Sequence, residues 1–221
     1  MLTVHHLNNS RSQRVLWLLE ELAVPYEIRF YQRDPKTQLA PAELKAIHPL
    51  GKSPVITDGG VALAETGAIV ETVVEAYGGG RLRPAAGTPE RLRWLYWLHY
   101  AEGSAMPPLL LRLIFGVLPR RAPFFLRPIV GGISAQANKA FIEPQMTLHF
   151  DYWESELGKA EWFAGPEFSA ADIMMSFPVE AAAERGGALE GRPRLAAFLG
   201  KIHARPAYQA ALRKGGPYAY A

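Results

Sequence analysis

Leu2-Thr3-Val4-His5-His6-Leu7, followed by Asn8-Asn9-Ser10-Arg11-Ser12, then Gln13-Arg14-Val15-Leu16-Trp17-Leu18-Leu19-Glu20-Glu21-Leu22 and, after Pro25, Tyr26-Glu27-Ile28-Arg29-Phe30, is the stretch on which the fold turns. The first six residues read as a short strand. Polar loop and capping residues come next, and Val15, Leu18, Leu19 and Leu22 then recur at helical spacing. Tyr26, Ile28 and Phe30 alternate with Glu27 and Arg29, the two-residue period of a strand. A β-α-β unit of this kind predicts two parallel strands joined by a crossover helix.

Working outward, Pro41 to Ile47 predicts a short helix. Pro54 to Thr57 and Val61 to Ala64 flank Asp58-Gly59-Gly60, a turn whose glycines permit positive φ, which predicts an antiparallel hairpin. Thr66 opens an apolar helix running to about Tyr77 and stopping at Gly78-Gly79-Gly80. About eighty residues thus give β-α-β-α-β-β-α, a mixed sheet with helices on its faces. Arg81 to Gly87 reads as a linker, and Thr88-Pro89-Glu90 caps a helix. Beyond it the pattern is helical throughout, predicting a bundle. Five prolines between Pro107 and Gly132 predict short or broken helices there. The expected division is residues 1–80, a linker at 81–87, and a helical part at 88–221.

Of 221 residues, 24 are Lys or Arg and 21 are Asp or Glu, a formal charge of +3. That surplus is too small to argue for nucleic acid. Hydrophobic residues make up 49 %, ample for a core and against disorder. Cysteine is absent, which excludes a disulfide framework, a thiolate metal site and a cysteine nucleophile, so any thiol chemistry must use a borrowed thiol. The six histidines lack metal-ligand spacing, and no metal is expected. With no leader pattern at Met1 to His6 and no unbroken apolar run near 18 residues, a soluble cytoplasmic protein without membrane attachment is expected.

Four segments carry a resemblance: Asn9-Ser10-Arg11-Ser12-Gln13-Arg14-Val15, His48-Pro49-Leu50-Gly51-Lys52-Ser53-Pro54-Val55, Glu65-Thr66-Gly67-Ala68-Ile69, and Phe168-Ser169-Ala170-Ala171-Asp172-Ile173. In this order and spacing the chain resembles the cytosolic glutathione S-transferases, most closely a bacterial and fungal branch with a Ser-Arg-Ser turn. The resemblance implies a thioredoxin-like first domain with a four-stranded mixed sheet, an all-helical second domain, and reduced glutathione as co-substrate. It implies thiolate attack on a hydrophobic electrophile, or glutathione-dependent reduction of a peroxide or disulfide, in a homodimer. The alternative is a ligand carrier or protein-interaction module on the same fold.

For the site, the resemblance assigns the γ-glutamyl end to Glu65 and Thr66, a carboxylate beside a helix start. The cysteinyl backbone falls to Ser53, turned by a cis bond to Pro54, and the glycine carboxylate to Lys52. A donor aimed at the sulfur favours the thiolate. Ser10 ranks first for that post, with Asn9 close behind because counting back from Arg14-Val15 places the related branches' nucleophile position there. Ser12 reads as a helix cap with a possible share in the work, and Arg11 as a residue that could steer an anion. Tyr100 and Met106 are expected at the hydrophobic-substrate pocket, and Leu109 to Arg127 is where that pocket, or an interaction surface, would lie. Ser169 and Asp172 have the spacing of a capping box, with Phe168 and Ile173 as its hydrophobic staple.

Overall fold

The computed structural model describes residues 1–220. Its sheet contains β1 (Leu2–Leu7), β2 (Tyr26–Tyr31), β3 (Val55–Asp58) and β4 (Val61–Ala64) in the order β2-β1-β3-β4. β1 and β2 run parallel, with Val4 opposite Ile28, across the crossover helix α1 (Ser12–Leu22). β3 lies antiparallel to β1, with Val4 opposite Ile56, and pairs antiparallel with β4. The hairpin turn uses Gly59 at φ +54° and Gly60 at φ +85°, values that a Cβ would disfavour. Helix α2 (Ala42–Ile47) precedes β3, and α3 (Thr66–Tyr77) follows β4.

The remainder is helical: α4 (Pro89–Tyr100), α5 (Met106–Arg121), α6 (Arg127–Ala137), α7 (Glu143–Glu156), α8 (Ala170–Gly186), α9 (Pro193–His203) and α10 (Pro206–Gly215). Helix α1 is wrapped on nearly every side, which is why Ser12 through Leu19 are all buried. It packs on α3, α8 and α10 as well as β1, so the sheet and the bundle share one core. Trp17, Trp94, Trp97, Trp153 and Phe163 are fully buried in it. Within the bundle, Trp97 stacks on Tyr152 and meets the edge of Tyr100. The connection between sheet and bundle is not slack: the Leu82 carbonyl accepts from Ala170 N–H at 2.9 Å and from Trp94 Nε1 at 3.0 Å, and Arg81 Nη2 donates to Leu22 O at 2.8 Å.

The Ser169–Asp172 capping box forms. Ser169 N–H donates to Asp172 Oδ2 at 2.9 Å, and Ala171 N–H donates to Ser169 Oγ at 3.3 Å. Phe168 packs on Trp17 and Trp162, under the Arg205 guanidinium.

The expectation of short or broken helices between Pro107 and Gly132 holds only at its second half: the chain breaks at Ala122–Pro123 and makes a single 3-10 turn at Phe124–Leu126 before α6, but Pro107, Pro108 and Pro119 interrupt nothing. α4 and α5 join through a π turn at Ala101–Ala105 into one rod, Pro89–Arg121, of 33 residues. The wider turn precedes Pro107 and Pro108 and relieves the carbonyl clash that would otherwise stop a helix, while Pro119 sits in the last turn, where little remains to break. By length and composition this rod could cross a membrane. Charged residues along it, among them Arg91, Arg93, Glu102 and Arg112, hide that length from a search for unbroken apolar runs.

Candidate active site

The β1–α1 turn, the approach to β3 and the start of α3 converge on one cavity of about 170 Å³. Its lining includes Arg11, His48, Lys52, Ser53, Pro54, Glu65, Thr66 and Glu102. The sequence thus scatters Lys52, Ser53, Pro54, Glu65 and Thr66 over fifteen positions, and the fold places all five on one cavity. The Ser53–Pro54 peptide is cis. Glu65 stands at the N-cap of α3 with φ +71°, ψ +122°, a conformation that costs a non-glycine residue on the order of 1–3 kcal/mol. No side chain caps α3, so its first N–H groups remain unspent beside the buried Thr66. Those donors and the positive end of the helix dipole favour a carboxylate, while Glu65 next to them favours an ammonium.

Ser10 lines a second cavity of about 200 Å³, and Arg11 and Ser53 line both. Ser10 Oγ is 2.7 Å from Ser12 Oγ and donates to Ser53 Oγ at 3.2 Å, and Ser53 Oγ donates in turn to the His5 carbonyl at 3.2 Å. Ser12 is fully buried with its Oγ 2.9 Å from His6 Nδ1, one layer behind Ser10. Burial pushes the His6 imidazole below the usual histidine range, with a hydrogen bond to Gly215 pulling the other way. The neutral ring leaves a nitrogen to accept from Ser12. Asn9 has φ +47°, is exposed, and uses its Oδ1 to accept from Ala219 N–H at 3.0 Å.

The second cavity is walled by Met106, Leu109, Leu110 and Leu113 of α5 and by Phe177 of α8. Met106 thus lines a cavity next to Ser10. Tyr100 does not: its hydroxyl turns into the bundle, accepting from Trp153 Nε1 at 3.0 Å and bonding His149 Nδ1. The cause is that Tyr100 lies before the π turn and Met106 after it, so the two residues face different neighbours. Glu102, within the π turn, reaches back to Arg11 at 3.2 Å and to the buried Arg14, whose Nη1 also donates to Met174 O at 2.6 Å. Burial tends to raise the Glu102 carboxyl, and the Arg14 and Arg11 charges outweigh it, leaving it below its usual range.

Two family models match the chain: the glutathione S-transferase N-terminal domain over residues 1–75 and its C-terminal domain over residues 130–214. Glutathione S-transferase 1 of Saccharomyces cerevisiae is 33 % identical over 97 % of this chain and 95 % of its own. The chain belongs to the glutathione S-transferase family. Glutathione S-transferase 3 of Schizosaccharomyces pombe is 37 % identical over 82 % of this chain and 74 % of its own. Among solved structures, a glutathione S-transferase from Actinobacillus pleuropneumoniae superposes with a TM-score of 0.80 at 30 % identity, covering 97 % of this chain and 93 % of that one. A sphingomonad glutathione S-transferase complexed with glutathione gives 0.74 at 25 %, covering 97 % and 98 %.

Within this transferase fold, the sequence reading did not find His6, Arg14, Glu102 or Arg185 as parts of the site. Arg14 served there only to set the register. Arg14 and Glu102 are 88 positions apart in sequence, and no local pattern links them. His6 and Ser12 are six apart across a strand-to-helix turn, a spacing that carries no signal until the turn geometry is known. A larger cavity, about 750 Å³, lies along the connection between sheet and bundle and involves none of these residues.

Proposed function

We propose that this glutathione S-transferase family member binds reduced glutathione across the Ser53–Thr66 wall, activates its thiol at Ser10, and directs the thiolate at a second substrate held against α5. The observation that carries the reading is the convergence of Lys52, Ser53, Pro54, Glu65 and Thr66 on one cavity that shares Arg11 and Ser53 with a second, lined by Ser10 and by the apolar residues of α5. Thr66 and the unspent N–H groups of α3 receive the γ-glutamyl carboxylate, and Glu65 its ammonium. The Ser53 backbone aligns the cysteinyl residue, and Lys52 meets the glycine carboxylate. Ser10 O–H then turns from Ser12 to the sulfur, and the N-terminus of α1 adds positive potential, both favouring the thiolate. Ser12 and Asn9 stand behind and beside it. Holding thiolate and electrophile in contact supplies the rest of the rate. The same thiolate would serve peroxide or disulfide reduction, and cytoplasm, where thiols stay reduced, is the matching setting.

A two-fold dimer completes the reading. Leu92, Leu95 and Tyr96 of α4 and Leu148 of α7 are exposed at 40–72 %, an apolar face on the bundle that a second copy would cover.

Calorimetric titration with glutathione tests the cradle. Glu65→Ala and Thr66→Ala are each expected to weaken binding by about 1–3 kcal/mol, the scale of one charge-assisted hydrogen bond. Unchanged affinity in both variants would remove the cradle. Wild-type binding with no turnover of any electrophile or peroxide would leave a carrier.

A further inference from the structure

The two cavities that share Arg11 and Ser53 differ in charge. The inner one holds both signs, with Lys52 and Arg11 against Glu65 and Glu102. The one beside Ser10 is lined by Arg11, Arg33, Arg112 and Arg185 and, among the described residues, by no carboxylate. It continues into a third cavity of about 660 Å³ that shares Asn9, Arg33, Leu113, Arg185 and Tyr220 with it and adds Arg121, again with no Asp or Glu among the described residues on its wall.

Two of these arginines have carboxylate partners. Arg11 faces Glu102 at 3.2 Å, and Arg112 pairs with Glu143 at 2.7 Å. Among the described residues the other three have no carboxylate partner. Arg33 is half-buried and spends its guanidinium on carbonyl oxygens, those of Asn8 at 3.2 Å and Gln38 at 3.1 Å. Arg185 lies 4.9 Å over the ring of Tyr220. Arg121 ends α5, at the outer end of the third cavity. Carbonyls and an aromatic face orient a guanidinium without cancelling its charge, so the cleft keeps a positive field between low-dielectric walls. The apolar lining comes from α5, from Leu109, Leu110 and Leu113, continued by Ile114, Val117 and Leu118. None of Arg33, Arg121 and Arg185 lines the inner cavity, so glutathione bound there leaves their charges to the second ligand.

We infer that the second substrate is an amphipathic anion: an apolar electrophile, such as an aryl halide, that also carries a carboxylate or sulfonate. Its body lies on the leucine wall of α5, and its anionic group is received by Arg185, with Arg33 and Arg121 completing the field. Guanidinium forks match a planar carboxylate, and desolvation between apolar walls strengthens the pair. With an aryl chloride the step balances simply. The thiolate sulfur forms a bond to the ring carbon, the carbon–chlorine bond breaks, chloride departs with the electron pair, and the thiol proton has already passed to solvent. The inference rests on the glutathione reading for its reaction and on the arginine-lined cleft alone for its binding.

The test compares 4-chloro-3-nitrobenzoate with 4-chloro-3-nitrobenzamide, each kcat/KM divided by the uncatalysed rate constant with glutathione. The benzoate is expected to be favoured at least tenfold at low ionic strength, with the preference shrinking as salt screens the field. Arg185→Gln and Arg121→Gln should each reduce the benzoate-to-benzamide ratio threefold or more, chiefly through KM. A ratio near one that no arginine variant moves would overturn the inference while leaving the glutathione reading intact. If neither chloride is turned over, equilibrium titration with 3-nitrobenzoate and 3-nitrobenzamide decides the matter without chemistry. Tenfold tighter benzoate binding that falls in Arg185→Gln supports the anion site, and equal binding of the two refutes it.

Discussion

Replacing Ser10 by alanine separates the chemistry from the scaffold, because the structure says what the hydroxyl does before any ligand arrives. Its single proton has two resting acceptors, Ser12 Oγ at 2.7 Å and Ser53 Oγ at 3.2 Å. Turning that proton to a thiolate gains a hydrogen bond to a charged group, about 1.5–3 kcal/mol, and gives up a neutral one of about 1 kcal/mol. The net, about 0.5–2 kcal/mol, is centred near one unit of thiol pKa. Ser10→Ala should therefore raise the apparent pKa of enzyme-bound glutathione by about one unit. At pH 6.5, below both values, turnover should fall about tenfold; at pH 9, where the thiol ionises with little help, the loss should stay within about twofold. The assays are ultraviolet thiolate titration of the glutathione complex and a pH–rate profile. Thermal stability should change little, since Ser12 keeps its bond to His6. A shift in Asn9→Ala with none in Ser10→Ala would transfer the role to Asn9. Flat results at Asn9, Ser10 and Ser12 alike would leave the thiolate to backbone N–H groups and the start of α1, refuting the assignment of any side chain.

Glu102→Gln removes the carboxylate between Arg11 and Arg14 and is expected to cost about 1–3 kcal/mol in urea unfolding at pH 7. Because the folded carboxyl lies below its usual 4.5, wild type gains this contribution above that pH and loses it as pH falls through the lower folded value, whereas the variant should show no such loss. Asp172 has the opposite sign. Burial pushes it up to about 6, against the bonds from Phe163 and Ser169 that pull it back, so its contribution is full below 3.8 and is lost as pH rises through about 6. Asp172→Asn should abolish that slope and, by setting an amide N–H against a buried donor, lower stability by about 1–3 kcal/mol at pH 7.5. Sedimentation equilibrium should find a dimer at micromolar concentration. Arginine at Leu92 or Tyr96 should shift it toward monomer, and wild type sedimenting as a monomer would refute the pairing.

How much of this was legible in the chain depends on how far apart the interacting residues are. β1, α1 and β2 announce themselves through period-two and period-3.6 patterns, and the Asp58-Gly59-Gly60 turn states its own hairpin. The cavity wall from Lys52 to Thr66 was legible only because a resemblance supplied the pairing of segments that the fold later brought together. Tyr100 was misplaced because helical periodicity gives a face but not which neighbour that face meets. His6, Glu102 and Arg185 were missed because each acquires its role from a partner in another element. The continuous rod was missed because prolines read as breaks unless the turn before them is known to be wider than an α turn.

That wider turn at Ala101–Ala105 carries one more residue than an α turn would. Since each residue advances a helix by about 100°, α5 is clocked by about that angle away from the heading that α4 alone would give it. Upstream of this offset the rod's side chains serve the tryptophan core; downstream they line the cavity beside Ser10. Deleting a single residue from Glu102 to Ser104 would let the rod run on as plain α-helix with Met106, Leu109 and Leu113 on their present heading, whereas inserting one there would turn all three about 100° off the cavity while leaving Trp94 and Trp97 seated. The π turn thus works as an indexing step between two gears on one shaft, and residues added within it would retool the pocket without unseating the fold.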